Sequence, residues 1–144
     1  MSKIRHSVPL DVHLIIRQEN KILLMRRHKT GFADGQYALV AGCHESDEPI
    51  SSAIIREAKE EVGIDLRPEW LTMGCVMHIK IDNPGERVCF FFIANQWNGT
   101  ITNCEPHKCD DLRFYPLEEL PKNLIPFVRS GIFASLEGTH FVEM

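Results

Sequence analysis

One thirteen-residue stretch, Ile50 to Val62, constrains this chain more than any other. Pro49 is tolerated in a first helical turn and Gly63 suits the residue just past a helix end, so the stretch between them reads as a helix of about three turns. At about 100° per residue, Ile50, Ala53 and Ile54 make one apolar stripe. Ile55, Ala58 and Val62 make a second on roughly the opposite side, which implies a helix packed on two sides. The first stripe does not end in apolar residues. It continues into Glu57, Glu60 and Glu61.

Those acids oppose the helix that carries them. Carboxylates at i, i+3 and i+4 sit about 5–6 Å apart at Cβ and repel one another. They also occupy the last turns, where the helix dipole favours cations, a mismatch of about 0.3–1 kcal/mol per charge. Arg56, four residues before Glu60, offsets part of this and cannot neutralise all three. A solvated acidic face is the bland explanation for such a cluster. Acids that extend an apolar stripe favour a cation site instead. Carboxylate oxygens without a soft ligand suit Mg²⁺ or Mn²⁺, and Mg²⁺ usually takes phosphate oxygens as further ligands.

From Gly42 the chain reads Gly-Cys-His-Glu-Ser-Asp-Glu-Pro-Ile-Ser-Ser-Ala-Ile-Ile-Arg-Glu-Ala-Lys-Glu-Glu-Val-Gly-Ile. This resembles the box of the Nudix hydrolase family, G-x5-E-x7-R-E-U-x-E-E-x-G-U with U aliphatic. Gly42, Glu48, Arg56, Glu57, Glu60, Glu61 and Gly63 fill every fixed position, and Ala58 and Ile64 fill the aliphatic ones. Leu23 to Arg27, Tyr37 to Gly42 and Leu112 to Pro121 are similar, more weakly, to segments that flank the box in the family. Asp47 stands where relatives often carry Gly before the first box acid, and Asp tolerates a left-handed backbone better than most residues.

The resemblance implies a single α/β/α sandwich domain over residues 1–144 and a mixed sheet. It also implies Mg²⁺-dependent (or Mn²⁺-dependent) hydrolysis of a nucleoside diphosphate linked to another moiety, such as a nucleoside triphosphate or a nucleotide sugar. Carried over by position, Glu57 and Glu61 hold metal, Glu60 is a further or water-mediated ligand, and a backbone carbonyl of Ala41 or Gly42 is another. Arg56 orients the glutamates and Glu48 reaches back across the loop–helix junction toward the substrate side. A general base in this family often comes from outside the box. Glu105, in the loop before a late strand, is the first candidate, with Asp110 and Asp111 as alternatives. The rival reading is a catalytically silent Nudix-fold domain that binds a nucleotide or a protein; such domains typically lose box acids, and this chain keeps them all. Many relatives are homodimers, so a second copy is a candidate partner.

Elsewhere the chain reads as strands separated by helices, a mixed sheet with helices on both faces. Val8 to Arg17 and Ile22 to Met25 are strands around a turn at Gln18-Glu19-Asn20, followed by a loop, His28 to Gln36. Tyr37 to Ala41 is one short strand running into a loop, Gly42 to Asp47. Trp70 to Ile81 and Arg87 to Trp97 are strands, Asp111 to Leu117 a last strand, and Ile125 to Leu136 a closing helix. In the basic run before the first loop, Arg27 is a candidate for a terminal phosphate. Phe32 and Tyr37, on either side of the loop's end, are candidates for stacking a base.

Composition removes other classes. A net charge of −4 leaves no basic footprint for long nucleic acids. No apolar run is long enough to span a bilayer, and Met1 to His6 lacks the apolar region of a signal peptide. Five cysteines at irregular spacing suit reduced thiols and a cytosolic protein. Cys104, His107 and Cys109 would need a fourth ligand from Cys75 or Cys89 to hold zinc, at a spacing no standard finger uses. Cys43, beside the box glycine, is a candidate for sensitivity to thiol reagents.

Overall fold

A computed structural model describes residues 3–144. Its strands are β1 (Leu10–Gln18), β2 (Lys21–Arg27), β3 (Tyr37–Ala38), β4 (Val40–Cys43), β5 (Leu71–Ile81), β6 (Gly85–Ala94), β7 (Cys109–Pro116) and β8 (Phe141–Glu143). Helix α1 (Ile50–Val62) follows β4 and helix α2 (Pro126–Glu137) precedes β8. The result is an α/β/α sandwich. Val12, Leu14 and Ile16 of β1 pack with Ala53, Ile54, Ala58 and Val62 of α1. Ile15 packs on the opposite face with Phe91 and with Phe127, Val128 and Ile132 of α2. The period-two alternation of β1 therefore feeds two separate cores.

β1 is the hinge line of the sheet. Asp11 to Leu14 pair antiparallel with β4, while Arg17 and Gln18 pair with β2. On its other edge β1 runs parallel to β6, which continues to β5 and then β8. β2 carries β3 and β7 as its own neighbours. The expected single strand from Tyr37 to Ala41 is thus two strands. The chain pairs with β2 at Tyr37 and Ala38, crosses at the buried Leu39, and pairs with β1 from Val40 to Cys43. Ladder pairing also carries β4 two residues into the segment that reads as loop.

Helix α1 has the expected bounds. Pro49 is its cap residue, and left-handed Gly63 (φ 74°) closes it with an N–H bond to the Lys59 carbonyl at 3.1 Å. Its packing differs from the two-sided expectation. Ala53, Ile54, Ala58 and Val62 enter one core cluster, with Ile50 and Ile55 at its margin. Residues four apart differ by only about 40° around a helix, so the two stripes merge into one broad inner face. Asp47 does sit in the left-handed region, at φ 68°. The expected last strand, Asp111 to Leu117, corresponds to β7, which starts two residues earlier and ends at Pro116, and it is followed by another, because Phe141 to Glu143 pair parallel with Val76 to His78.

Candidate active site

Because α1 has one broad inner face, its acids differ sharply in environment. Glu61 lies within that face and is 9% exposed, whereas Glu60 lies on its outer margin with half of its side chain exposed. Burial, and then the neighbouring Glu57 carboxylate, push the Glu61 carboxyl well above the usual carboxylate range. Its one backbone donor is the Ala41 N–H, at 3.4 Å. Arg56 does not reach it. That guanidinium donates to Glu57 at 2.9 Å, to Glu48 at 3.0 and 3.2 Å, and to the Cys43 carbonyl at 3.3 Å, with Glu60 at 3.5 Å. Arg56 therefore fixes the rim of the acid cluster and leaves its deepest member without a cation.

Gly42 shows how closely the cluster meets the strand. A Cβ there would lie 2.1 Å from Cδ of Glu57 and 2.2 Å from its Oε1, so the missing side chain is the berth of that carboxylate. This gives the box glycine a physical reason that has nothing to do with backbone freedom. The donor set here consists of carboxylate and backbone oxygens, with a buried excess of negative charge. It fits a hard divalent cation.

The acids open into a cleft of about 800 Å³ that wraps the edge of β4. Glu57, Glu60, Glu61, Ala41 and Gly42 line one part of it, with Glu105 alongside. Glu105 stands in a turn closed by N–H bonds from Lys108 and Cys109 to its carbonyl, and its charge adds to the upward push on Glu61. Arg27, Lys29 and Lys108 supply positive charge to the cleft, and Phe32 lines it as well. Arg27 also builds the loop after β2: Nε donates to the Phe32 carbonyl at 2.6 Å, Nη2 donates to Thr30 Oγ1 at 2.9 Å, and the guanidinium lies 5.3 Å from the Phe32 ring centre.

Several sequence candidates lie elsewhere. Tyr37 is not a wall of the cleft. It is 5% exposed, its hydroxyl donates to Asp111, and Tyr115 donates to it at 2.9 Å. Asp111 is held in that network and by Arg113, and Asp110 pairs with Arg26 at 2.7 Å, so neither alternative base faces the glutamates. Glu48 is engaged by Arg56 and by the Glu45 N–H, a positioning role at the loop–helix junction. Cys104 and His107 are exposed, while Cys109 is buried with its thiol donating to the Asp111 carbonyl at 3.2 Å. They form no metal-spaced trio among the described residues, which removes the zinc reading.

The structure adds three residues that the sequence reading passed over. Asp11, His13 and Arg87 line the cleft on the α2 side of the sheet. The signal was there: Asp11 and His13 alternate with valine and leucine in the apolar first part of the strand, Leu10 to Ile16. Arg87 pairs with both oxygens of Asp11 and lies 3.7 Å from the Cys43 sulfur. Asp11, His13 and Cys89 offer ligand atoms within 4.8 Å of one another, but Arg87 already supplies the positive charge that this trio would otherwise draw from an ion. His13 is 6% exposed, and burial lowers its pKa to about 4, so it is neutral near pH 7.

The fold and site together define the class: an α/β/α sandwich that lays a carboxylate-rich helix end against a neighbouring strand at the mouth of a cleft. The particular member follows from comparison: residues 8–135 match the model of the NUDIX domain, and the chain belongs to the Nudix family. An ADP-ribose pyrophosphatase of Methanocaldococcus jannaschii is 32% identical over 108 residues, 75% of this chain and 62% of that protein. An NAD-capped RNA hydrolase NudC of Vibrio atlanticus is 45% identical over 53 residues, 35% of this chain and 18% of that protein. The chain thus spans less than two thirds of the length of either. Among solved structures, a MutT NUDIX hydrolase from Burkholderia pseudomallei superposes with a TM-score of 0.81 at 28% identity, covering 90% of this chain and 98% of that one. No helix among the described residues is long and apolar enough to cross a membrane.

Proposed function

We propose that this chain hydrolyses a phosphoanhydride bond in a nucleoside diphosphate linked to another moiety, with Mg²⁺ or Mn²⁺ bound by Glu57, Glu61 and a backbone carbonyl of Ala41 or Gly42, and Glu60 as a further ligand. The observation that carries this reading is the berth at Gly42, which holds Glu57 against the strand beside the buried, cation-poor Glu61. A divalent ion held by these residues would supply charge stabilisation for phosphate oxygens and a more acidic bound water. Arg56 keeps Glu57 in place, Glu105, which lines the same cleft, is the group that would orient or deprotonate the attacking water, and Arg27 with Lys29 and Lys108 would draw the remaining phosphate charge into the cleft. ADP-ribose heads the substrate panel because the Methanocaldococcus jannaschii relative carries its name. All five thiols are unpaired, which supports a reducing compartment such as the cytosol.

The test is a panel of ADP-ribose, nucleotide sugars, dinucleotides and nucleoside triphosphates with Mg²⁺ or Mn²⁺, read by product chromatography. Glu57→Gln should cut turnover by ~10²-fold or more, the scale of losing one preorganised electrostatic group, with the melting temperature little changed. A Glu57→Gln protein that turns over at the wild-type rate overturns the assignment.

A further inference from the structure

The cleft extends beyond its charged part. Phe32, Asn83, Ile125 and Phe127 line both the cleft and a second hollow of about 260 Å³, so the two adjoin. Ile125 and Phe127 are buried, whereas Ile81 and Met144, which also line the hollow, are 41% and 38% exposed. The ladder of β5 with β8 brings these last two together, and just past it the Lys80 N–H donates to the Met144 carbonyl at 2.7 Å. Ile81 and Met144 are two of the five large apolar side chains left exposed among the described residues. One exposed apolar residue is ordinary. Two that converge on an apolar hollow beside a cleft mark a contact surface.

Chemistry narrows what the surface contacts. Every side chain lining the hollow is uncharged, with Gln36 and Asn83 as its polar members. Arg27, Lys29, Lys108 and the box acids line the cleft alone. A ligand whose phosphates lie among those charges therefore has its uncharged end in the hollow. Phe32 stands at the junction, with the Arg27 guanidinium 5.3 Å from its ring centre. A polyhydroxylated sugar set against this apolar wall would give up hydrogen bonds to water that two carboxamides cannot replace. A nucleobase has apolar faces, packs on aromatic rings, and is readily followed by a flexible methionine. We infer that the hollow is the seat of the substrate's nucleobase, with Ile81 and Met144 as its exposed contacts. The inference rests on the proposed reaction for the nucleotide character of the ligand.

AMP and ribose 5-phosphate test it, because they share a phosphate and a ribose and differ by the base. The ratio of their affinities, from calorimetric titration in Mg²⁺, reads the seat without any turnover. Wild type should bind AMP about tenfold tighter than ribose 5-phosphate. The double variant Ile81→Gln with Met144→Gln replaces apolar contacts by carboxamides at exposed positions and adds no charge. It should melt like wild type, bring the ratio down to about twofold, and leave the affinity for ribose 5-phosphate unchanged. On ADP-ribose it should raise KM about tenfold and leave kcat within twofold. Met144→Gln alone should lower the ratio about threefold and decides the matter if the double variant does not fold. A wild-type ratio near one, or a ratio that the folded variants keep, overturns the inference. So does a wild type that sediments as a dimer and a double variant that sediments as a monomer with its ratio unchanged, which would give the exposed pair to a second copy of the chain. If the ratios behave as expected while wild type turns over no nucleotide, the proposed reaction fails and the seat stands.

Discussion

Gly42→Ala separates function from folding. The added Cβ would sit 2.1 Å from Cδ of Glu57, 2.2 Å from Oε1 and 2.7 Å from Cγ, and real Cβ contacts essentially never fall below 3.0 Å. The carboxylate must therefore retreat by about 1 Å, a displacement that costs on the order of 10²-fold when it misplaces a catalytic ligand. Nothing else should suffer. Gly42 is not a positive-φ glycine, so alanine meets no backbone strain, and the atoms it strikes are the movable end of a long side chain. A Gly-to-Ala change at a compatible backbone position also narrows the unfolded ensemble, by about 0.4–1 kcal/mol in favour of the fold. Gly42→Ala is thus expected to melt within a few degrees of wild type, to lose kcat/KM by ~10²-fold, and to bind Mn²⁺ more weakly in a calorimetric titration. A variant with wild-type kcat/KM would refute the berth. A variant that no longer folds would refute the claim that only Glu57 occupies it.

A matched substitution in the other core should behave in the opposite way. A Cβ on Gly131 of α2 would lie 2.2–2.7 Å from ring atoms of Phe91, which is fully buried and cannot retreat, so Gly131→Ala should destabilise by about 1–3 kcal/mol in urea unfolding while the folded fraction keeps its metal affinity. His13 gives the stability a pH signature. Its folded pKa of about 4 lies below the 6.5 of the unfolded chain, so below pH 6.5 the unfolded state takes up a proton that the folded state refuses. Stability falls as pH drops from 6.5 to about 4 and levels off beneath; at about 1.4 kcal/mol per pH unit the loss is about 3 kcal/mol. His13→Phe removes that component, so wild-type and variant unfolding curves that stay parallel from pH 7 to pH 4 would contradict it.

What the sequence discloses and what it hides divides along the range of the interactions. The bounds of α1 and the ranking of its acids as an anomaly are local facts, written in caps, dipole and i+3/i+4 spacing. The merging of its two stripes was equally local, and follows from a wheel in which Ile54 and Ala58 are near neighbours. Tyr37 shows the limit. An aromatic beside a loop reads the same whether it stacks a ligand or closes a core, and its partners Asp111 and Tyr115 are more than seventy residues away. The same distance hid His13 and Arg87, since only the parallel register of β1 with β6 brings their strands together. The crossing at Leu39 is hidden because five consecutive extended residues give no sign that two different strands claim them.

That crossing has a consequence for the length of the chain. Ala38 is in register with β2 and Val40 with β1, so a single residue serves as the spacer between two fixed ladders. A strand displaced by one residue presents its opposite face. Loss or gain of one residue at this point would turn Gly42 away from α1 and bring Ala41 or Cys43 round against Glu57. The chain can change many side chains around Leu39 and keep the site, but it cannot change their number.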